Sequence, residues 1–312
     1  MNYLVTGGAG FIGSLVSKKL LLLGHKVTII DNLSTGVKSN IPHQATFIKG
    51  DASKKDTIKK LNNIKFDAIL HIAGQSSGEI SFENPIYDLN SNTTSTLLLL
   101  NYALKSKCKK FIFASSMSVY GEQKGKEKFS ETDRLNPKSF YAVGKLASEN
   151  YLKIYQQQFG INYTILRYFN VYGPGQSLIN LKQGMVSIYL AQFLNNKFKK
   201  VLVKGSKNRF RDLCYIEDVV NITIRSIKDK HFHNEIINIG TGKKTTVKEI
   251  IFNIKKNLSS NKKVIFKGHT PGDQYGIYAD ARKIKSYTNF KFTDFKIGLK
   301  KMIEWIKSSG SK

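Results

Sequence analysis

The stretch Tyr3-Leu4-Val5-Thr6-Gly7-Gly8-Ala9-Gly10-Phe11-Ile12-Gly13 constrains this chain more than any other. An apolar run enters glycines spaced three apart, Gly7, Gly10 and Gly13, and a helical pattern follows at once. Gly8, Gly10 and Gly13 also satisfy the G-x-G-x-x-G spacing. Early glycines let backbone turn tightly out of a strand and approach a pyrophosphate, and the last lets helix and strand pack closely. The helix that opens at Phe11 and Ile12 then points free N–H groups and the positive end of its dipole at the phosphates.

A glycine triplet alone says little, but here its context is complete: a strand before, an amphipathic helix after, and an acid closing the next strand. That acid is Asp31, at the end of Lys26-Val27-Thr28-Ile29-Ile30 and 18 residues beyond Gly13. A carboxylate there accepts both ribose hydroxyls of an adenosine and repels a 2′-phosphate, which selects NAD over NADP. The polar turn Asn32-Leu33-Ser34-Thr35-Gly36 follows, and Asn32, Ser34, Thr35 and Gly36 join the expected cofactor contacts.

The first half alternates strand and helix signals, which predicts an α/β fold of Rossmann type: a doubly wound parallel sheet with a smaller C-terminal α/β lobe. A helix is expected over Phe11–Leu23, stopped by Gly24. A third strand, Ala45–Lys49, delivers Gly50-Asp51-Ala52, where a carboxylate can accept the adenine amino group. A fourth, Phe66–Ile72, ends in Ala73-Gly74-Gln75-Ser76-Ser77; small residues there admit the cofactor, and Ser77 can face a substrate. Asn90–Leu104 reads as one long helix with Asn90 at its mouth. The fifth strand, Lys110–Ala114, runs into Ser115-Ser116, and Glu122–Pro137 reads as a charged, mobile loop. A helix over Ser139–Phe159 ends at Gly160, and a sixth strand covers Tyr163–Phe169. Beyond it the rhythm weakens. Residues 1–170 with returning segments near 213–240 form the expected cofactor domain, and 171–212 with 241–312 the substrate lobe, with Trp305 packing a C-terminal helix onto it.

Within the Ser139–Phe159 helix lies Tyr141-Ala142-Val143-Gly144-Lys145. Residues four apart share a helix face, so phenol and ammonium point the same way. A nearby cation favours phenolate and draws the tyrosine towards use as a general base. Ser116, at the carboxyl end of the neighbouring strand, can hydrogen-bond the substrate oxygen and the tyrosine. Such ends are where doubly wound sheets bind ligands.

Composition bounds the remainder. The chain of 312 residues, 41% hydrophobic and 23% charged, is ample for a buried core. Its two cysteines, Cys108 and Cys214, lack metal or redox spacing, and the histidines show no metal spacing either. A cleaved leader would remove the first strand, and the apolar run around Leu97–Leu100 is too short to cross a bilayer, so a cytoplasmic location is expected. The net charge of +28 comes from lysines scattered along the whole chain, with no nucleic-acid-binding motif, so neither nucleic acid nor membrane is an expected partner.

Taken together, these segments resemble the extended short-chain dehydrogenase/reductases of the NAD-dependent nucleotide-sugar epimerase/dehydratase family, above all the UDP-glucose 4-epimerase branch. The likeness rests on the Gly7–Gly13 loop, Asp31–Gly36, Gly50-Asp51, His71–Gln75, Ser115–Gly121 and Tyr141/Lys145. It continues through Arg167–Pro174, Arg211-Asp212, Asn238–Gly242 and Pro271-Gly272-Asp273. It implies that Tyr141 takes the proton of a sugar 4-hydroxyl, that Lys145 holds the nicotinamide ribose, and that Ser116 shares the proton's hydrogen bond. It places Gln75, Asn90, Ser115 and Tyr168 with the cofactor. Asn170 and Arg211 would hold the nucleotide diphosphate, with Val186 in the substrate contact and Asp273 on the ribose. A UDP-hexose substrate and a homodimer pairing the Asn90–Leu104 and Tyr141–Phe159 helices follow from the same likeness. Met117 and Ser118 stand where dehydrating or decarboxylating members carry an extra acid. Thr270 replaces an arginine that binds the diphosphate in relatives, with Lys267, His269 or Arg209 as substitutes, and Ile277 falls where relatives gate N-acetyl groups.

Overall fold

Seven apolar segments pair side by side into one parallel sheet in the computed structural model, which describes residues 1–62, 64–269 and 274–308. The strands are β1 (Asn2–Thr6), β2 (Lys26–Asp31), β3 (Thr46–Lys49), β4 (Ala68–His71), β5 (Lys110–Ser116), β6 (Asn162–Tyr168) and β7 (Glu235–Ile239). Their spatial order is β7-β6-β5-β4-β1-β2-β3. The chain thus winds from β1 outward to β3, then returns to β4 and winds the other way. The direction reverses between β1 and β4, and the crevice that opens there at the strands' carboxyl ends is the ligand position of such sheets.

A sheet covered on both faces must bury consecutive residues, and the strands do so by alternation. Tyr3 and Val5 of β1 pack with Val16 and Leu20 of the Phe11–Leu22 helix and with Ile222 of the Ile216–Lys228 helix. Leu4 points to the opposite core, with Leu99 of the Ser95–Lys105 helix and Leu152 of the Phe140–Phe159 helix. The expected doubly wound core is present.

The smaller elements gather beyond the carboxyl ends of the strands. A second sheet has the order Thr245–Thr246, Phe210–Arg211, Gly276–Ala279, Lys128–Phe129. Two further pairs form: Asn170–Tyr172 with Leu213–Tyr215, and Lys200–Val203 with Lys263–Phe266. The Phe295–Ser308 helix closes on the core through Leu299, Met302 and Ile306, with Trp305 packed at its margin.

Two expectations need correction. The segment Glu122–Pro137 is not a free loop: Phe129 is buried, its short strand pairs with Ala279, and Glu131 accepts the Asn238 backbone N–H at 2.8 Å. Charge density hid an anchor that depends on partners far along the chain. Nor does a helix begin at Asn90. Asn84 caps a helical segment at Pro85–Leu89 by accepting from Tyr87 N at 3.0 Å, with Pro85 in the first turn, where its missing N–H costs nothing. The path passes through a π turn at Asn90–Thr94 and resumes as α-helix at Ser95. Such bulges collect at functional sites because they re-aim a side chain by one position.

Candidate active site

The nucleotide cradle is built by backbone. Gly10 caps the Phe11–Leu22 helix with no side-chain hydrogen bond, and the first turn holds no acid. That leaves the helix N-terminus free for an anion. Gly7 has φ +72°, and a Cβ on it would come within 2.8 Å of Ala73 N. The loops after β1 and β4 therefore touch only because position 7 is glycine. A Cβ at Gly13 would overlap the Gly7 carbonyl oxygen, as the close helix–strand packing read from the sequence requires.

Asp31 ends β2 buried, its carboxylate accepting Ala9 N at 3.0 Å and Leu33 N at 2.8 Å. Gly36 lets its own loop press against Asp31 and Ala9, where a Cβ would stand 2.9 Å from the carboxylate. Asn32 accepts Ser34 N at 3.0 Å, shaping the turn around that acid. Asp51 is engaged locally, accepting Ser53 N and Oγ at 2.8 Å each, with Ala52 buried beside it.

Across the crevice, Ser139 caps the Phe140–Phe159 helix by accepting Ala142 N at 3.2 Å. Tyr141, Lys145 and Glu149 then lie along one face of it at four-residue steps, all buried. Arg167 on β6 grips Glu149 from Nε at 2.9 Å and Nη2 at 2.7 Å, and donates to the Tyr120 hydroxyl at 2.9 Å. Ser115 donates to Glu149 at 2.5 Å. The Phe140–Phe159 helix is thus pinned to β5 and β6 one turn below Lys145. Thr93 of the π turn donates to Gly144 O at 3.2 Å, and a Cβ at Gly144 would stand 3.2 Å from that of Asn92. Gly144 is what lets the two helices approach.

The Lys145 ammonium donates to Ala114 O at 2.9 Å, lies 4.9 Å from the Phe113 ring centre and 5.9 Å from that of Tyr141. Burial pushes the Tyr141 phenol up to about 12; Ser116 acts against this and Asp88 with it. Burial pulls Lys145 down to about 8, while Asp88 and Glu149 hold it up. Burial thus opposes the lowering of the phenol expected from the lysine, because desolvation penalises the charged form of each group. His71, buried beneath them between Thr6 (2.7 Å) and Ser95 (3.1 Å), is lowered by burial to about 3 and is neutral.

Of the residues read from the sequence, Tyr141, Lys145, Ser116, Ala73 and Gly74 converge at the carboxyl ends of β4 and β5. Ser116 also caps the short helix Met117–Tyr120, accepting Ser118 N at 3.2 Å. Gln75 turns its amide to Asp88 (2.6 Å) and Ser77 O (2.7 Å), and Ser77 caps the Gly78–Glu83 helix. Side chains of Ser115 and Tyr168 point elsewhere, to Glu149 and to Thr223 (2.8 Å). Only their backbones remain for a cofactor. Asn90 pairs with Thr94 at 3.2 Å, whereas Asn92 is fully buried against Lys145. The π turn decides between the two asparagines, and no local pattern announces it.

Among the described residues, Asn170 Oδ1 and Gln176 Oε1 are buried without hydrogen-bond partners, and Val186 is buried in the Met185–Leu194 helix. Arg211 is buried and donates to Gln274 O at 2.8 Å and to Tyr275 O at 3.3 Å. Its neighbour Asp212 accepts Thr241 N (2.8 Å), Thr241 Oγ1 (2.6 Å), Gly242 N (2.9 Å) and Ala279 N (3.1 Å), tying the loop after β7 to the Gly276–Ala279 strand. Thr270 and Asp273 lie outside the described residues.

An uncapped helix N-terminus, a glycine-lined crevice at the reversal of strand order, an acid closing β2 and the buried Lys145 ammonium fit a dinucleotide. Residues 3–240 match the model of the NAD dependent epimerase/dehydratase family, and the chain belongs to that family. Its cofactor is NAD. The chain is 38% identical over 307 residues, 98% of each sequence, to a Methanocaldococcus jannaschii protein assigned as a UDP-glucose 4-epimerase. The Thermotoga maritima UDP-glucose 4-epimerase, solved with UDP-glucose, superposes with a TM-score of 0.94 at 33% identity over 99% of both chains. The Thermus thermophilus UDP-glucose 4-epimerase complexed with NAD gives 0.92 at 30% identity over the full length of both.

Proposed function

We propose that this chain is an NAD-dependent nucleotide-sugar 4-epimerase acting on a UDP-hexose. The observation that carries the reading is the meeting of Tyr141, Lys145 and Ser116 at the nucleotide crevice, beside a Met117–Tyr120 turn that holds no carboxylate. NAD, when bound, would supply a hydride acceptor and a positively charged ring. The glycine loop and the Phe11–Leu22 helix would hold its diphosphate, Asp31 its adenosine ribose, and Asp51 its adenine. Lys145 and Asn92 would hold the ribose at the reacting end.

Tyr141 would remove the proton from the sugar 4-hydroxyl, and NAD, when bound, would accept the C4 hydrogen as hydride to leave a 4-ketone. Ser116 keeps the shared proton between phenol and sugar oxygen. Asn170, Gln176 and Arg211 line the side on which the nucleotide moiety is anchored, with Asp273 on its ribose and Val186 against the sugar. After the ketone turned over, the hydride would return to its other face and Tyr141 would give back the proton. Dehydration or decarboxylation would need a further acid near C5 or C6, and Met117 and Ser118 cannot provide one.

Incubation with UDP-glucose, UDP-galactose and their N-acetyl forms should interconvert a C4 pair without net NADH, read by chromatography of the sugar nucleotides. Accumulating NADH in step with turnover would point instead to a dehydrogenase of the same fold. Turnover of UDP-glucose but not UDP-N-acetylglucosamine would close the gate that Ile277, buried beside Arg211's strand, leaves open.

The reading includes a cytoplasmic homodimer, with lobes divided as 1–170 plus 213–240 and 171–212 plus 241–312. Among the described residues no helix is long and apolar enough to cross a membrane. Val143, Tyr151 and Ile154 share an exposed face of the catalytic helix, with exposed Ile86 and Leu89 on the segment packed beside it. A second copy would bury these side chains at about 25 cal/mol per Å². Ile154→Glu should halve the mass seen by light scattering; a wild-type chain already monomeric at micromolar concentration would remove the proposal.

A further inference from the structure

Asp88 is fully buried at the end of Pro85–Leu89, next to the catalytic pair, and the family chemistry gives it no task. Its Oδ1 accepts Gln75 Nε2 at 2.6 Å and Asn92 Nδ2 at 3.2 Å. Asn92 Nδ2 also donates to Gln75 O at 3.0 Å. With two acceptors on one side, the amide of Asn92 can turn only its nitrogen that way. Its oxygen must face the other side, where, among the described residues, it is buried without a partner. The place it faces is defined by Gly74: a Cβ there would stand 2.5 Å from Asn92 Oδ1 and 3.2 Å from Lys145 Nζ. The amide oxygen and the ammonium therefore both press on Gly74, where no side chain fits.

We infer that Asp88 is a positioning residue of the reaction: it fixes the Asn92 amide with its oxygen towards Gly74 and Lys145, and it places a negative charge beside Lys145 and Tyr141. The inference rests on the epimerase reading for its kinetic consequences only. Other charged or titratable groups facing the pair are accounted for. Glu149, one turn beyond Lys145, is neutralised by Arg167, and His71 beneath is neutral. Asp88 is the carboxylate left without a cationic hydrogen-bond partner among them. Its charge favours the ammonium of Lys145 and opposes the phenolate of Tyr141. Its own carboxyl is raised by burial, while the Gln75 and Asn92 amides and Lys145 pull it down.

The sign of the test follows. In Asp88→Asn the phenol loses a repelling charge and the ammonium an attracting one, so both groups titrate at lower pH. In the NAD-loaded protein, the Tyr141 Cζ resonance of 13C-tyrosine-labelled chain, assigned by its loss in Tyr141→Phe, should titrate at least about half a pH unit lower than in wild type. Both limbs of the pH profile of kcat/KM should move down with it. A residue that merely supported the fold would lower the rate and leave the midpoints in place. Should Asp88→Asn not fold, Asp88→Ser, which removes the charge but keeps an acceptor for Asn92, should show the same downward shift. An unchanged Tyr141 midpoint in the folded variant overturns the inference. A shifted midpoint in a protein that epimerises none of the sugar nucleotides would overturn the proposed activity and leave the role of Asp88 standing.

Discussion

Tyr141→Phe is expected to lower kcat by about 10²–10⁴, the range lost when a positioned proton-transfer group is removed. The change deletes one oxygen from a buried ring and leaves Lys145, the glycine loop and Asp31 in place, so NAD affinity should stay within a few-fold of wild type. The two readouts separate chemistry from binding: single-turnover assay of the sugar product for the first, calorimetric titration with NAD for the second. Because burial pushes the phenol up to about 12, its deprotonation is the demanding step at neutral pH. The remedy lies in positive charge brought against the ring. A variant with undiminished kcat would transfer the base role elsewhere and remove the observation on which the activity rests.

The second large effect concerns stability. Arg167 and Glu149 form a buried pair with both side chains almost wholly shielded, 1% and 0% exposed. Arg167→Met should cost about 3–5 kcal/mol, since it strands a carboxylate in the interior with only the Ser115 hydroxyl for company. Pairing it with Glu149→Leu should recover much of that loss, because two apolar groups of similar size leave nothing uncompensated. Denaturant midpoints of wild type, the single and the double variant measure both numbers. A single variant as stable as wild type would mean that the catalytic helix is not held by this pair, and that its register depends on the Gly144 contact with the π turn.

Much of this architecture was legible locally. A strand that must be buried on both faces and a loop that must approach a pyrophosphate leave signatures within a few residues, so β1, the Gly7–Gly13 turn, Asp31 and the four-residue step from Tyr141 to Lys145 could be read directly. Ser139 and Gly160, which bound the catalytic helix, are local capping signals and were legible for the same reason. Asn90 was misread because the amide that reaches the site is chosen by an extra residue in one helical turn. That bulge is stabilised by Gly144 and Ser148 on another helix, 51 and 56 residues away. The Glu122–Pro137 segment was misread because its hydrophobic anchor, Phe129, finds its cover only when Gly276–Ala279 arrives beside it.

The amino-acid order alone determined the winding of the sheet, the glycine turn that opens its first helix and the shared face of Tyr141 and Lys145, since each depends on spacing that backbone geometry converts straight into position. Tertiary structure decided the electrostatics: which carboxylates face the pair, which are already spent on Arg167, and which amide turns its oxygen inward. Those outcomes depend on burial and on partners distant in the chain, and the free energy of a charge in a protein is set by how little water and how many dipoles surround it.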